Sequence, residues 1–321
     1  MTGLIVQSPA GSEALLEPAR RKSRGGIWGA VRTSRKAMAG LIIFIVFLVL
    51  AIVPQLFASK HDTEALSSGS SLSPSGQHWL GTTTLGQDIF AQLVYGTRQS
   101  LLIAVVAGLF ATILSVLVGV SAAYLGGVAD EVLSMITNIF LVLPTFPLII
   151  IFATYAGKGT LLVILVVLIV TGWSYGANQL RAQTLSLRNR DFLESARVRG
   201  ERRSYIIVFE VLPTMTSLIV ANFLGAALYS VLTAAGLQFL GLGDPNSMSW
   251  GTMLYWSQNA EALQSGYPLW SIAPGVCVAL LGVSFALLNY AFDEISNPAL
   301  RPVKVRRAAR VVSARRRRAQ V

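Results

Sequence analysis

The sequence predicts an all-α membrane protein with six transmembrane helices and both termini in the cytoplasm. Apolar residues other than glycine make up 53% of the 321 residues, and the mean hydropathy is +0.60. Charged residues make up only 13%, about half of the roughly 25% usual for a soluble domain. This composition excludes an extended disordered chain, and the single cysteine excludes an intrachain disulfide scaffold. Six uncharged stretches and the position of the basic residues complete the prediction.

The uncharged stretches define the spans. They contain no Lys, Arg, Asp or Glu and run over 37–59, 99–129, 132–157, 159–180, 211–243 and 262–292. A hydrocarbon core of ~30 Å needs about 20 helical residues, so each stretch is long enough to cross it. Backbone polar groups must be paired inside lipid, which predicts that the stretches are helical. The first stretch is too long for the apolar core of a signal peptide, so we expect a retained span.

The basic residues predict which way the spans face. Of the 26 Lys and Arg residues, 7 lie in the N-terminal tail, 7 in the segment 181–203 and 9 from Arg301 onward. With six spans, these three segments fall on one side of the membrane, and the positive-inside rule makes that side the cytoplasm. The basic C-terminal tail is expected to bind membrane lipid. Nucleic acid is not expected as a partner, because this tail follows a membrane anchor.

The same pattern divides the chain into segments. We expect a cytoplasmic tail at 1–36, a first transmembrane helix at 37–58, an extracytoplasmic segment at 59–97, a five-helix core at 98–293 with a cytoplasmic loop at 181–212, and a basic cytoplasmic tail at 294–321.

Two alternative functions are disfavoured by the residues within the spans. No charged residue lies in the middle of a span, whereas a stand-alone secondary transporter driven by protons or ions usually needs one there. An intramembrane enzyme is disfavoured because both histidines, His61 and His78, lie outside the spans. The energy for transport is therefore expected to come from outside the membrane.

Polar residues and prolines within the spans are candidates for a transport pathway or gate. The polar candidates are Asn138, Asn222, Gln238 and Asn289. Side chains of this kind either form hydrogen bonds between helices or line a polar pathway, and the sequence leaves both interpretations open. Pro144, with Pro147, is expected to kink the third span.

The 181–212 loop has the most specific local pattern. Asp191 and Glu194 have the spacing of an N-cap and an N3 residue, which predicts a short helix from Phe192 to Arg199. Gly200 tolerates the left-handed conformation that ends such a helix. Two uses fit a short helix with an apolar face: docking into a groove of a partner, or lying on the lipid surface.

A second short helix is expected from about Glu201. Leu212 and Pro213 are then expected to open the fifth span, because proline suits the first turn of a helix. Phe192, Leu193 and Ala196 form the predicted apolar face of the first helix.

The loop resembles a known motif. Glu194–Ala196, followed by Gly200 and by Leu212–Pro213, is similar to the "EAA" loop of ABC-importer permeases, although Ser195 stands at the second position. Further segments resemble the second permease subunit of the peptide/opine/nickel group, in particular the oligopeptide and dipeptide type. These segments are 78–82, 86–88, 96–101, 239–243 and 249–254. Together the matches cover about 78–301.

The sequence also departs from this family at several usually charged positions. Neutral residues stand there: Thr83, Gln87, Asn138, Ala234 and Asn297. These departures leave the substrate open between peptides, oligosaccharides and metal chelates.

The resemblance implies a mechanism and a set of partners. The chain would have the type I ABC-importer permease fold and pair with a homologous second permease subunit. Two ABC ATPases would bind the 181–212 loops and hold the ATP and Mg, while an extracytoplasmic substrate-binding protein would deliver the substrate. This chain itself is expected to be non-catalytic and to bind no cofactor or metal, since it lacks a Walker A sequence and H-E-x-x-H.

The resemblance and the loop pattern also predict site residues. The expected ATPase-coupling residues are Asp191, Phe192, Leu193, Glu194, Ser195, Ala196, Arg197, Gly200, Leu212 and Pro213. The expected contacts with the binding protein are Gly81, Asp88, Arg98 and Trp250. Glu194 has two expected partners: a cation of the ATPase, or Arg190 or Arg197 within the loop, which lie at helical spacing from it; the local pair is preferred.

Overall fold

A computed structural model of the protein describes residues 34–64, 66–155 and 160–296. Most of the two predicted tails, 1–36 and 294–321, lies outside the described residues, as does Asn297. The described part is helical, apart from turns and one isolated bridge between Thr82 and Asp88.

Twelve α-helices are described, together with short turns of other helix types. The helices are α1 (Arg35–Ile52), α2 (Ile89–Leu125), α3 (Gly127–Val142), α4 (Thr145–Tyr155), α5 (Leu161–Gly172), α6 (Ser174–Leu187), α7 (Asp191–Val198), α8 (Arg203–Ile206), α9 (Leu212–Thr214), α10 (Thr216–Phe239), α11 (Trp250–Asn259) and α12 (Pro268–Ser296). Two 3₁₀ turns, Pro54–Leu56 and His61–Thr63, lie between α1 and α2, and a π-helical turn, Ile207–Val211, precedes α9.

Five helical segments are long and apolar enough to cross a membrane. They are Arg35–Ile52, Ile89–Leu125, Leu161–Leu187, Thr216–Phe239 and Pro268–Phe292. A sixth span results if α3 and the first part of α4 count as one bent span. The prediction of an all-α membrane protein is confirmed, and its sixth span depends on this bent pair.

The predicted third span is broken and not merely kinked. Gly127–Val142 and Thr145–Phe152 meet at an angle of 88°. Leu143, which precedes Pro144, is extended at φ −61° and ψ 133°. Proline disfavours helical backbone in the preceding residue and lacks the N–H of a helical hydrogen bond, so the helix ends here. Pro147 lies in the first turn of α4, where proline is tolerated.

Helix α2 is central to the packing. It packs along α10 and α6, while α12 packs against α10 and α1. A Cβ atom on Gly108 would lie 2.8 Å from the backbone N of Ala227, so glycine permits the close approach of α2 and α10.

Two groups of buried side chains mark the two ends of α2. Near its first residues, Trp250 of α11 packs with Phe47 of α1, their ring centroids 5.2 Å apart. Near its last residues, Val120 and Tyr124 pack with Leu193 of α7. The 181–212 loop and α11 therefore lie at opposite ends of the same helix.

Candidate functional site

Helix α7 is the longest regular element within the exposed part of the 181–212 loop, and six of its eight residues are exposed. It begins one residue earlier than predicted, because Arg190 is its N-cap and Asp191 is its first helical residue. Arg190 makes no side-chain capping bond, and Asp191 and Glu194 both lie in the first turn. Negative charge there is favourable because the N-terminus of a helix carries partial positive charge.

Gly200 ends α7 as the sequence predicts. Its φ is +78°, which is costly for residues with a Cβ atom. The N–H of Glu201 donates to the carbonyl of Ala196 at 3.3 Å, and that of Gly200 to the carbonyl of Arg197 at 2.9 Å. This pair of bonds is a Schellman turn. A Cβ on Gly200 would have no neighbouring atom within 4 Å, so the surface around it is open.

The predicted apolar face of α7 is mostly used inside the fold. Leu193 and Ala196 have no exposed surface, whereas Phe192 is 38% exposed. The free surface of α7 is thus formed by its six exposed residues, Asp191, Phe192, Glu194, Ser195, Arg197 and Val198. Leu193 and Ala196 do not lie at the surface, because both pack with residues of α2 and α6, and their expected role in ATPase coupling stays a prediction.

The predicted pairing of Glu194 with Arg190 or Arg197 is wrong. In the described part of the chain, the Glu194 carboxylate forms no ion pair. The Arg197 guanidinium instead lies 5.6 Å from the centre of the Tyr124 ring and donates to the Arg188 carbonyl at 3.0 Å. An aromatic face and a backbone oxygen replace the expected carboxylate.

Leu212 and Pro213 do not open α10. They form α9, which follows the π-helical turn and ends at Met215, where φ is −104° and ψ is 6°. Pro213 does lie in the first turn of its helix, as expected. The loop is therefore connected to α10 through an irregular segment.

A cavity of about 450 Å³ opens between the helices. The residues that line it include Ser115, Thr145, Thr171, Ser174, Tyr175, Gln179, Asn222, Tyr229 and Asn289, and no charged side chain is among the described residues that line it. Hydroxyl and amide groups can donate and accept hydrogen bonds with an uncharged polar ligand or with water.

The structure brings two of the five pathway candidates together at this cavity. Asn222 and Asn289 both line it, and the Asn289 Oδ1 atom has no hydrogen-bond partner among the described residues. Pro144 lies next to the cavity, between α3 and Thr145. Asn138 faces a separate shallow depression on α3. Gln238 does not line the cavity.

Gln238 has a structural role near α11. Its Oε1 atom accepts a hydrogen bond from Ser249 Oγ at 2.8 Å, and Gln238 is 3% exposed. Ser249 is also the N-cap of α11 and forms a capping box with Thr252. Gln238 thus joins the end of α10 to the start of α11, which fits the interpretation as an interhelical bond.

Three of the four residues expected to contact a binding protein are buried. Trp250 has no exposed surface, and its indole N–H donates to the Leu93 carbonyl at 3.1 Å. Asp88 caps α2 by accepting from the Ala91 N–H at 2.9 Å, and its second oxygen lies 2.6 Å from His78 Nδ1.

Gly81, the third, has φ +81°, and a Cβ there would lie 2.5 Å from the Leu72 carbonyl oxygen. Only Arg98 is exposed. Gly81, Asp88 and Trp250 fix the fold of the outer segment from buried positions, and their expected contact with a binding protein stays a prediction. An exposed rim lies close by, where Leu85 and Trp256 line a second cavity of about 470 Å³.

Several functional residues have no signal in the sequence. Tyr124 and Arg188 both contact Arg197. Tyr124 lies far from Arg197 in the sequence, and Arg188 lies outside the recognised motif. Asp130 at the start of α3 forms a bidentate pair with Arg181 of α6, with N–O distances of 2.6 and 2.9 Å. Only the isolated position of Asp130 beside an uncharged stretch hints at such a partner.

The fold and the site define a class of protein: a multi-pass helical membrane protein with an uncharged polar cavity and a short exposed helix at one end. The family of binding-protein-dependent transport system inner membrane components matches residues 115–294. The oligopeptide transport system permease protein of Mycobacterium tuberculosis is 31% identical over 275 residues, which are 84% of this chain and 93% of that relative.

Two further relatives are similar over most of the chain. The dipeptide transport system permease protein of Bacillus subtilis is 30% identical, with 85% of each chain covered. The glutathione transport system permease protein of Pectobacterium atrosepticum is 31% identical, with 81% of this chain and 84% of the relative covered. The chain therefore belongs to the family of binding-protein-dependent transport system inner membrane components.

Proposed function

We propose that this chain is the transmembrane pore subunit of an ATP-driven importer that moves oligopeptides or dipeptides across the cytoplasmic membrane. The observation that carries the proposal is that peptide permeases are similar to this chain over 84–85% of its length. The uncharged cavity supports it as well, because its amide and hydroxyl groups match the donors and acceptors of a peptide backbone. Asn222 and Asn289 are the pathway residues of this proposal.

The proposed complex contains a homologous second permease subunit, two ABC ATPases and an extracytoplasmic substrate-binding protein. ATP and Mg bind to the ATPases, and this chain is non-catalytic. The free surface of α7 supports docking of an ATPase, because Phe192 and Val198 are exposed apolar side chains beside Glu194 and Gly200. The rim around Leu85 and Trp256, with Arg98, is the proposed contact with the binding protein.

The proposed topology has six spans, with α3 and α4 as one broken span, and has both termini in the cytoplasm. This is the type I ABC-importer permease arrangement. The positive-inside distribution of Lys and Arg supports it. The opposite positions of α7 and α11 along α2 support it too, because α7 then faces the ATPases and α11 the binding protein.

Reconstitution tests the proposal. The chain is placed in proteoliposomes with the second permease subunit and the ATPases, and uptake of a labelled dipeptide and a labelled pentapeptide is measured with the binding protein present. We expect ATP-dependent uptake of at least one peptide. If unlabelled oligosaccharide or metal chelate inhibits uptake, and unlabelled peptide does not, the inhibiting class would be assigned as the substrate instead of peptides. Uptake without the ATPases would instead identify a stand-alone secondary transporter.

A further inference from the structure

Helix α2 connects the two ends of the molecule without interruption. It is a single α-helix of 37 residues, Ile89–Leu125, and at 1.5 Å per residue it is about 55 Å long. Its last turns contact α7, and its first turns contact α11. A continuous helix of this kind moves largely as one body.

The α7 end of α2 is held by both packing and polar contacts. Leu193 and Ala196 of α7 are fully buried against Val120 and Tyr124. The Arg197 guanidinium lies over the Tyr124 ring, 5.6 Å from its centre, within the range of a cation–π contact.

Arg188 provides a second link between the loop and α2. Arg197 Nη2 donates to the Arg188 carbonyl at 3.0 Å, and Arg188 Nη1 lies 3.5 Å from the Ala123 carbonyl in the last turn of α2. Two arginines thus tie the loop to the carbonyl end of α2, where positive charge is favourable.

The route along the chain from α7 to α10 is irregular by contrast. It passes Gly200 at φ +78°, the π-helical turn Ile207–Val211, and the break at Met215. Along the chain, α7 is thus linked to α10 only through this irregular segment, whereas Arg197 of α7 contacts α2 directly.

The α11 end of α2 is joined as firmly. The Trp250 indole N–H donates to the Leu93 carbonyl at 3.1 Å, and the Trp250 backbone N–H donates to Ser100 Oγ at 3.1 Å. A Cβ on Gly96 would lie 3.3 Å from the backbone of Ser249, so α2 and the start of α11 touch directly.

We propose that the Arg197–Tyr124 contact is the positioning contact that passes movement of α7 to α2, and that α2 carries this movement to α11. The inference rests on the proposed function, because it assigns the residues through which ATPase movement reaches the opposite side of the pore. Arg197 then acts inward on this chain and does not bind the ATPase.

The test compares transport with ATP hydrolysis in the reconstituted importer. In Arg197→Leu and in Tyr124→Leu, we expect the ATPase subunits to remain bound, because the exposed apolar side chains of α7, Phe192 and Val198, are unchanged. Peptide uptake per ATP hydrolysed is expected to fall about two- to fivefold, the value of one exposed cation–π contact. The double variant is expected to lose no more than either single variant, because the two residues form one contact.

Two matched variants serve as controls. Arg190→Leu removes a positive charge from the N-cap of the same helix, and Tyr124→Phe keeps the aromatic ring. Both are expected to keep the wild-type ratio of uptake to ATP hydrolysis. Arg197 is exposed, so Arg197→Leu keeps the proposal testable if Tyr124→Leu does not fold.

The outcomes distinguish failure of this inference from failure of the proposed function on which it rests. A wild-type ratio in Arg197→Leu, or losses that multiply in the double variant, would overturn the positioning contact alone. An equal loss in Arg190→Leu would also overturn it, since charge and not the contact would then be responsible. A wild-type complex that binds no ATPase and imports no peptide would overturn the proposed function together with this inference.

Discussion

Gly200 combines a strained backbone with an open surface. Its φ of +78° favours glycine, and Asn is the side-chain residue that best tolerates this region. We expect Gly200→Val to destabilise the turn by about 1–2 kcal/mol and to release the ATPase from a detergent-solubilised complex. Gly200→Asn is expected to retain the ATPase. The measurement is the amount of ATPase that co-purifies with the tagged chain.

The pair of variants distinguishes conformation from contact. Both add a side chain at a position where a Cβ meets no other atom of this chain. If both release the ATPase equally, the ATPase approaches Gly200 closely and the backbone argument is wrong.

Trp250 is expected to matter for folding more than for recognition. It is fully buried and bonded to Leu93. We expect Trp250→Ala to lower the free energy of unfolding by about 3–5 kcal/mol, measured as loss of thermal stability in detergent.

Trp79 is the matched control for Trp250. It is 66% exposed, so Trp79→Ala is expected to change the stability by about 0.5 kcal/mol or less. An equal effect of the two substitutions would contradict the structural role of Trp250.

Single residues were predictable where backbone chemistry is local. The left-handed turn at Gly200 follows from four or five neighbouring residues. The burial of Asp88 and Trp250 does not, because a motif lists residue types but not what packs over them. Tyr124 was missed for the same reason: 73 positions separate it from Arg197 in sequence, and only the fold brings the two together.

Among the elements, the break between α3 and α4 depends on Pro144. We expect Pro144→Ala to let the helix continue through Leu143, because the steric restriction on that residue is removed. Leu141 lines the cavity beside the break. In a Cys277→Ser background, a Leu141→Cys thiol is expected to react with a water-soluble reagent, and Pro144→Ala is expected to slow this reaction and to reduce import.

Pro147→Ala is the control for this prediction. Pro147 lies in the first turn of α4, where proline costs little. It is expected to leave both labelling and import unchanged. Unchanged labelling in Pro144→Ala would show that tertiary packing, and not the proline, holds the bend.

The helices were predictable from hydropathy, but their ends and bends were not. Stretches free of charge locate α10 and α12 to within several residues. A charged residue does not end a helix, however. Helix α2 begins at Ile89, ten residues before its uncharged stretch. The presence of Pro144 predicts a kink, but the 88° bend also depends on the extended backbone of Leu143, which the sequence does not show.

At the scale of the whole molecule, orientation in the membrane is the main expectation. Ser195 of α7 and Asn246, which precedes α11, are both exposed and lie at opposite ends of α2. In a Cys277→Ser background, a membrane-impermeant maleimide is expected to label Asn246→Cys in intact spheroplasts. It is expected to label Ser195→Cys only after lysis. The reverse pattern would contradict the positive-inside assignment.

The cavity could not be predicted from the sequence. Its lining comes from α2, α3, α4, α5, α6, α10 and α12; α10 contributes six residues, and the other helices contribute between one and four each. Asn222 and Asn289 belong to it, whereas Gln238, a similar amide in a similar helix, bonds to Ser249 instead. All three side chains end in the same amide group, so only the packing of the helices separates a lining residue from a structural one.

The absence of charge from the described lining of this cavity bears on the electrical insulation of the membrane. A small ion that enters such a space exchanges its hydration shell for neutral dipoles alone, at a cost in free energy that no counter-charge offsets. The amide groups of a peptide backbone are uncharged and avoid this cost, whereas the ionised termini of a peptide do not. A pore lined in this way can open to one side in every cycle and still dissipate little of the membrane potential.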